Sequence, residues 1–308
     1  MFNQNITAEY VAELMEHLYR HHLSIEVLSG GVNMRVFKAS FGEKLEDRVI
    51  KFAGDGDWKP WAVLDEQVVM RTLREEGISE VPEIEFTQEA VGWSSPPFLV
   101  MRCIQPGLNI ETDIGPNHPD AERIWRSAGA LRAKLADVDW QCTTRTLTPR
   151  QAAEQLLRFV GWDEQALDRL PEFRGVFADL LDAVKTLARA QGQSFGQKDG
   201  CEMLTDGDSL ALVDFSGFVG AHRRLRELGM INGRLRWRDQ TDPRAAQWHE
   251  QGFFAGQPIT SEMRQELTVW EIYSLVSNAG WLTQTGRLVE RDSQLDFARQ
   301  RLEIERPV

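Results

Sequence analysis

Three residues of this chain are of the right type and in the right setting to handle a polyphosphate. Lys51 lies in "RVIKFAG", flanked by Val49, Ile50 and Phe52. Strand alternation puts Val49 and Lys51 on one side and Ile50 and Phe52 on the other, so the ammonium leaves the apolar face and needs an anionic partner. Glu66 stands at the head of "LDEQVVMRTLREEG", a helix that can carry its carboxylate to that ammonium once it packs on the sheet. Asp214 ends the apolar run "LALVD", and a carboxylate at a strand end suits Mg²⁺ bridged to phosphate oxygens. Gly30 and Gly31, in "LSGGVNMRVFKA", would let backbone amides approach a phosphate with no side chain in the way. Taken singly, each has an ordinary reading: a snorkelling strand-edge lysine, an acid favoured in a first helical turn, a hairpin aspartate and a glycine turn.

The elements that must position these residues follow from periodicity. Apolar residues Tyr10, Val11, Leu14, Met15 and Leu18 predict an amphipathic helix over 7–21. Antiparallel strands follow in "SIEVLSGGVNMRVFKASF" and "DRVIKFAG", then a helix over 64–76, a strand after Pro82, and a buried strand in "PPFLVMRCIQPG" stopped by Pro106 and Gly107. Helices are expected over 120–138, 149–160, 163–170, 173–191, 261–277 and 288–302, with a short strand pair inside 195–217. The expected class is α+β, with a small β-rich lobe of residues 1–105 (helix, five-stranded antiparallel sheet, one principal helix) and a large helical lobe of residues 106–308 carrying the hairpin.

Composition narrows the function classes. The 308 residues are 42% hydrophobic and 27% charged, and 47 acids against 35 Lys and Arg give a net charge of -12. Such a surface repels polyanions, so neither nucleic acid nor an anionic membrane is expected as a partner. Cys103, Cys142 and Cys201 are scattered and odd in number, which fits a reducing cytoplasm. No signal peptide and no spanning run are read in the sequence.

In order and separation, these segments resemble the aminoglycoside phosphotransferase and choline-kinase branch of the protein-kinase-like superfamily. "LSGGVNMRVFKA" is similar to its nucleotide loop, "VIKF" to its lysine strand, and Glu66 to the helix partner of that lysine. "PPFLVMRCIQPG" is similar to its hinge, where backbone groups around Met101 and Cys103 would receive adenine. "AGALRAKLADVD" resembles the helix pattern G-x-x-L-A-x-L-H, with Ala136 at the histidine position. The resemblance implies a two-lobed kinase-like fold that uses ATP or GTP with Mg²⁺ and a small hydroxylated substrate.

The match breaks at the catalytic loop, which that family writes H-G-D-x-x-x-x-N before the metal-binding I-D-[FW]. In "FGQKDGCEML", Gly196 matches the glycine, Phe195 replaces the histidine, Gln197 the proton-accepting aspartate and Glu202 the asparagine. Glu202 with Asp214 would still hold Mg²⁺. Gln197 would orient a hydroxyl without taking its proton, or else Asp199 would restore a carboxylate if the loop is shortened. Phosphoryl transfer through a loose transition state depends more on positioning and charge neutralisation than on a base. The rival expectation is a catalytically inactive, kinase-like nucleotide-binding or regulatory protein. Beyond Asp214, Ala221 replaces a structural aspartate and Arg223, Arg224 and Arg226 make the region basic, for an acidic substrate or for internal ion pairs. His17, His21 and His22 have helical spacing without a third ligand pattern, and His118, His222 and His249 stand alone. Trp58 and Trp61 would cover a ligand, whereas Trp125, Trp140, Trp162, Trp270 and Trp281 are expected in the core, and Glu271 is expected to reach the acceptor pocket.

Overall fold

The computed structural model describes residues 6–28, 34–53, 62–88, 97–104, 107–138, 140, 147–190, 192, 194–197, 202–215 and 219–305. Gly30, Gly31, Trp58, Trp61 and Asp199 lie outside them, as does the side chain of Gln197. In chain order the elements are α1 (Ala8–Tyr19), β1 (Ser24–Leu28), β2 (Met34–Ser40), β3 (Arg48–Ala53), α2 (Ala62–Glu75), β4 (Ile84–Gln88), β5 (Phe98–Arg102) and β6 (Leu108–Asn109). There follow α3 (Ile110–Asp113), α4 (Ala121–Asp137), α5 (Pro149–Leu167), α6 (Ala178–Arg189), β7 (Ser194–Gln197), β8 (Glu202–Thr205), β9 (Leu210–Val213) and β10 (Val219–His222). The chain closes with α7 (Arg226–Arg238), α8 (Arg244–Phe254), α9 (Ser261–Val276), α10 (Ala279–Gln284) and α11 (Leu288–Glu305).

Two compact units result, one of Met1–Leu108 with Leu204–Phe218, the other of Asn109–Met203 with Val219–Val308. The expected division at residue 105 kept the hairpin wholly with the helices. In the structure most of it belongs with the sheet, because Leu212 N–H donates to Glu80 O (2.9 Å) and Phe215 N–H to Glu66 (3.3 Å).

The first unit is built on a five-stranded antiparallel sheet in the order β1-β2-β3-β5-β4. One face carries Phe37, Ala39, Ile50, Phe52, Phe98 and Val100, and α1 covers it with Val11 and Met15. Thr7 caps α1 by accepting from Tyr10 N–H (3.3 Å), and Arg20 closes it in the left-handed region. The opposite face presents Val49, Lys51, Leu99 and Met101, which the register pairs as Val49 with Met101 and Lys51 with Leu99. Against this face packs α2, burying Val63, Leu64, Val69, Met70 and Leu73.

The second unit is helical, its core formed from α4 to α11 around residues such as Phe177, Trp270 and Tyr273. Two predicted helices, over 149–160 and 163–170, are one. Gly161 interrupts α5 at about 1 kcal/mol, but Ala152, Leu156, Val160, Asp163 and Leu167 form one buried stripe across it, and the packing wins. The helix expected over 173–191 starts only at Ala178, because Gly175 turns the chain at φ +74°. Helices α7 and α8 were not among the expected elements. Their glycines are contact points: a Cβ on Gly233 of α7 would meet Glu271 O of α9 at 2.1 Å, and one on Gly252 of α8 would meet Arg126 O of α4 at 2.0 Å.

The tryptophan expectation holds for Trp125, Trp140 and Trp270, at 0%, 3% and 0% exposure, and fails for Trp162 and Trp281, at 62% and 47%. These two sit on the outer faces of amphipathic helices, where ring size says nothing of direction. Among the described residues no helix is long and apolar enough to cross a membrane.

Candidate functional site

Strand alternation sends Lys51 away from the α1 face and toward α2, as expected. Its Nζ donates to Glu66 Oε1 at 2.6 Å, with the lysine 6% and the glutamate 0% exposed. Glu66 Oε1 also accepts the backbone N–H of Phe215 at 3.3 Å. One buried carboxylate oxygen thus ties the middle strand of the sheet, helix α2 and the residue after Asp214 to a single point. Desolvating two charges costs several kcal/mol each, and the pair persists because the charges meet at short range and a second donor adds to the acceptor. Glu66 Oε2 is buried with no hydrogen-bond partner among the described residues. A buried acceptor of that kind, next to a buried ammonium, is an unfinished polar site in a protein interior.

Asp214 follows the buried Ala211 and Leu212 of β9 and is half-buried itself. Its φ of +61° is left-handed, a region costly for most L-residues and least so for Asp and Asn. The hairpin behind it is closed by Asp206, whose Oδ1 accepts the N–H groups of Asp208 (2.9 Å) and Ser209 (2.7 Å), while Thr205 Oγ1 donates to Ser209 O (2.7 Å). These bonds to Asp206 lower its carboxyl pKa and fix the turn.

The remaining candidates distribute as follows. Met101 is buried in β5 on the Lys51 face, and Cys103 just beyond is half-buried, its N–H donating to Asp47 O at 3.0 Å. Gln197 ends β7, paired with Val219 of β10, and Glu202 is exposed at the start of β8. No cluster of three metal-ligating side chains occurs among the described residues. In the β7–β10 pair Phe195 stands opposite Ala221 and Gly196 opposite Gly220. Phe195 and Ala221 are each 3% exposed, and Phe195 packs edge-on to Trp140 at 5.1 Å.

Two expectations about polar groups are settled by ion pairing. Glu271 does not reach a pocket: it is 2% exposed and its Oε2 lies 3.1 Å from Arg236 Nε and 3.0 Å from Arg301 Nη2, cross-linking α7, α9 and α11. The basic run after β10 is used internally, with Arg223 on Glu266, Arg224 on Asp137 (3.0 Å), and Arg226 buried over the Trp270 ring. Sequence reasoning missed the amide of Phe215 as Glu66's second donor. Its only trace was the position of that residue directly after the metal-type aspartate.

The model of the phosphotransferase enzyme family matches residues 24–197. Among solved structures, a spectinomycin phosphotransferase in complex with ADP and spectinomycin is 13% identical, with 97% of this chain and 100% of that one covered at a TM-score of 0.63. A macrolide 2′-phosphotransferase from Brachybacterium faecium is 14% identical over 97% and 99% of the two chains, with a TM-score of 0.59. A Plasmodium vivax ethanolamine kinase is 10% identical over 90% and 82%, with a TM-score of 0.57. At these identities the likeness speaks for the fold, which is the protein-kinase-like one, α+β with a sheet-bearing and a helical part. A search of curated sequences returned no match. The family match extends over more than half of the chain and includes Lys51 and Glu66, and on that ground the chain belongs to the phosphotransferase enzyme family.

Proposed function

We propose that this protein transfers the γ-phosphate of ATP or GTP to a hydroxyl of a small molecule. The observation that carries the reading is the buried Lys51–Glu66 pair, closed by the amide beside Asp214, inside a phosphotransferase-family chain. Lys51 is assigned to the α- and β-phosphates and Glu66 to holding Lys51. Gly30 and Gly31 are assigned to the phosphate loop, and the backbone around Met101 and Cys103 to the base.

The residues present fit a divalent cation. Asp214 is held at a fixed, strained backbone position at a strand end, and its oxygen chemistry is that preferred by Mg²⁺. We assign Asp214 and Glu202 to it; the bound ion would neutralise charge on the phosphate oxygens. Gln197 or Asp199 is assigned to orienting the acceptor hydroxyl. A surface of net charge -12 suits a cationic acceptor such as an aminoglycoside, and the scattered cysteines suit the cytoplasm.

One observation favours a second reading, a kinase-like nucleotide-binding or regulatory protein without transfer. Gln197 stands where a proton acceptor is expected, and apolar Phe195 and Ala221 face each other where that family has polar residues. The test is Mg·ATP-dependent phosphate release with and without a panel of hydroxylated cationic acceptors, comparing wild type with Asp214→Ala. Release that depends on Asp214 supports transfer. Equal backgrounds would select the second reading, and an Mg·ATP thermal shift would then separate nucleotide holding from a regulatory role without nucleotide.

A further inference from the structure

We propose that His222 is a positioning residue for strand β7, its ring fixing the backbone that delivers Gln197. The inference rests on the phosphotransfer reading, in which the end of β7 leads to the acceptor side. His222 pairs with Ser194 across β7–β10, so its side chain shares a face with Gly196, not with Phe195. There it lies directly on the Gly196 α-carbon. A Cβ at that position would stand 2.6 Å from His222 Cδ2, 2.9 Å from its Cβ and 3.0 Å from its Cγ, so only glycine accepts the ring.

The ring itself is buried. His222 is 3% exposed, and burial with the adjacent Arg226 charge holds its pKa well below the usual imidazole value, so it stays neutral. The β7–β10 backbone is gripped nearby as well: a Cβ on Gly192 would meet His222 O at 1.8 Å, and one on Gly220 would meet Ala152 Cβ at 3.1 Å. On the opposite face Phe195 packs on Trp140 with Ala221 across from it. The strand is therefore held between an imidazole and an aromatic pair. Packing of this kind holds strand β7 without the polar residues that Phe195 and Ala221 replace, because close-packed interiors transmit displacement from one backbone to the next.

The test compares wild type, Gly196→Ala, His222→Ala and the double variant. Hydrogen exchange of peptides spanning Ser194–Gln197 is expected to speed up in each single variant and to return toward wild type in the double, where the methyl enters space the ring has left. Mg·ATP turnover should follow the same order, with kcat lowered about tenfold in Gly196→Ala and KM for ATP within about twofold, since a misplaced acceptor-side backbone costs rate more than nucleotide binding. Wild-type exchange in both singles, or a double no better than the two losses added, would overturn the inference. If Gly196→Ala does not fold, His222→Ala against the double decides it. Absence of turnover in wild type would overturn the phosphotransfer reading instead, and the exchange pattern then decides alone whether His222 holds β7.

Discussion

Replacing Glu66 with glutamine removes one charge and almost nothing else. The amide oxygen can still accept from Lys51 Nζ and from Phe215 N–H, but the ammonium, at 6% exposure, loses the negative charge of the carboxylate it donates to. Breaking a buried pair in this way costs about 3–5 kcal/mol, and the retained acceptor places Glu66→Gln near the lower end. Unfolding entropy for 308 residues is about 0.65 kcal/mol per kelvin, so the melting temperature should fall by about 5 °C. Nucleotide at about one hundred times its dissociation constant stabilises a binder by about 2.7 kcal/mol, or about 4 °C on the same scale. That shift should largely disappear in Glu66→Gln, because the lysine is no longer held in place for phosphate. The double variant Lys51→Met/Glu66→Leu separates the two effects. It should melt above Glu66→Gln, since apolar replacement of both partners leaves no lone buried charge, yet show no Mg·ATP shift. Differential scanning fluorimetry with and without Mg·ATP reads all of these. A Glu66→Gln protein that melts within a degree of wild type and keeps its nucleotide shift would refute the reasoning.

The other predictions concern strain, packing and pH. Asp214→Gly should raise stability by about 1 kcal/mol through relief of the left-handed backbone, while the Mg²⁺-dependent part of the ATP shift is lost; urea denaturation and the thermal shift check both. Gly129→Ala should be among the most damaging single changes, by about 3 kcal/mol or more, because its methyl would meet His249 O at 1.9 Å and Phe253 N at 2.7 Å; far-ultraviolet circular dichroism at growth temperature will show the loss. Acid should destabilise the protein below neutrality. Burial, with the Arg132 charge, depresses the pKa of His249 to about 3, so the unfolded chain takes up a proton near pH 6.5 that the folded one refuses. The contribution is complete above pH 6.5 and is lost as the pH falls toward 3, at up to about 1.4 kcal/mol per pH unit for each such histidine. His222 acts in the same direction. Urea midpoints measured from pH 8 to pH 5 should fall, and His249→Gln should flatten the slope.

Much of this protein follows from local chemistry. A lysine inside an apolar strand has to leave the face its neighbours bury, and it does so toward α2. The order of strands and the long amphipathic helices likewise come from periodicities of two and 3.6 residues, which act over one or two turns of chain. Local signals failed where a distant contact overrode them. Gly161 lies within α5 because a stripe on either side of it is buried, and the glycines of α7 and α8 mark close helix crossings that no single-helix pattern reveals. Only the tertiary structure could turn Glu271 inward onto two arginines, leave Trp162 and Trp281 in solvent, set the Phe215 amide on Glu66 and lay the His222 ring on Gly196. Each of these depends on where a partner remote in sequence arrives in space, and residue type and spacing along one element carry no information about that.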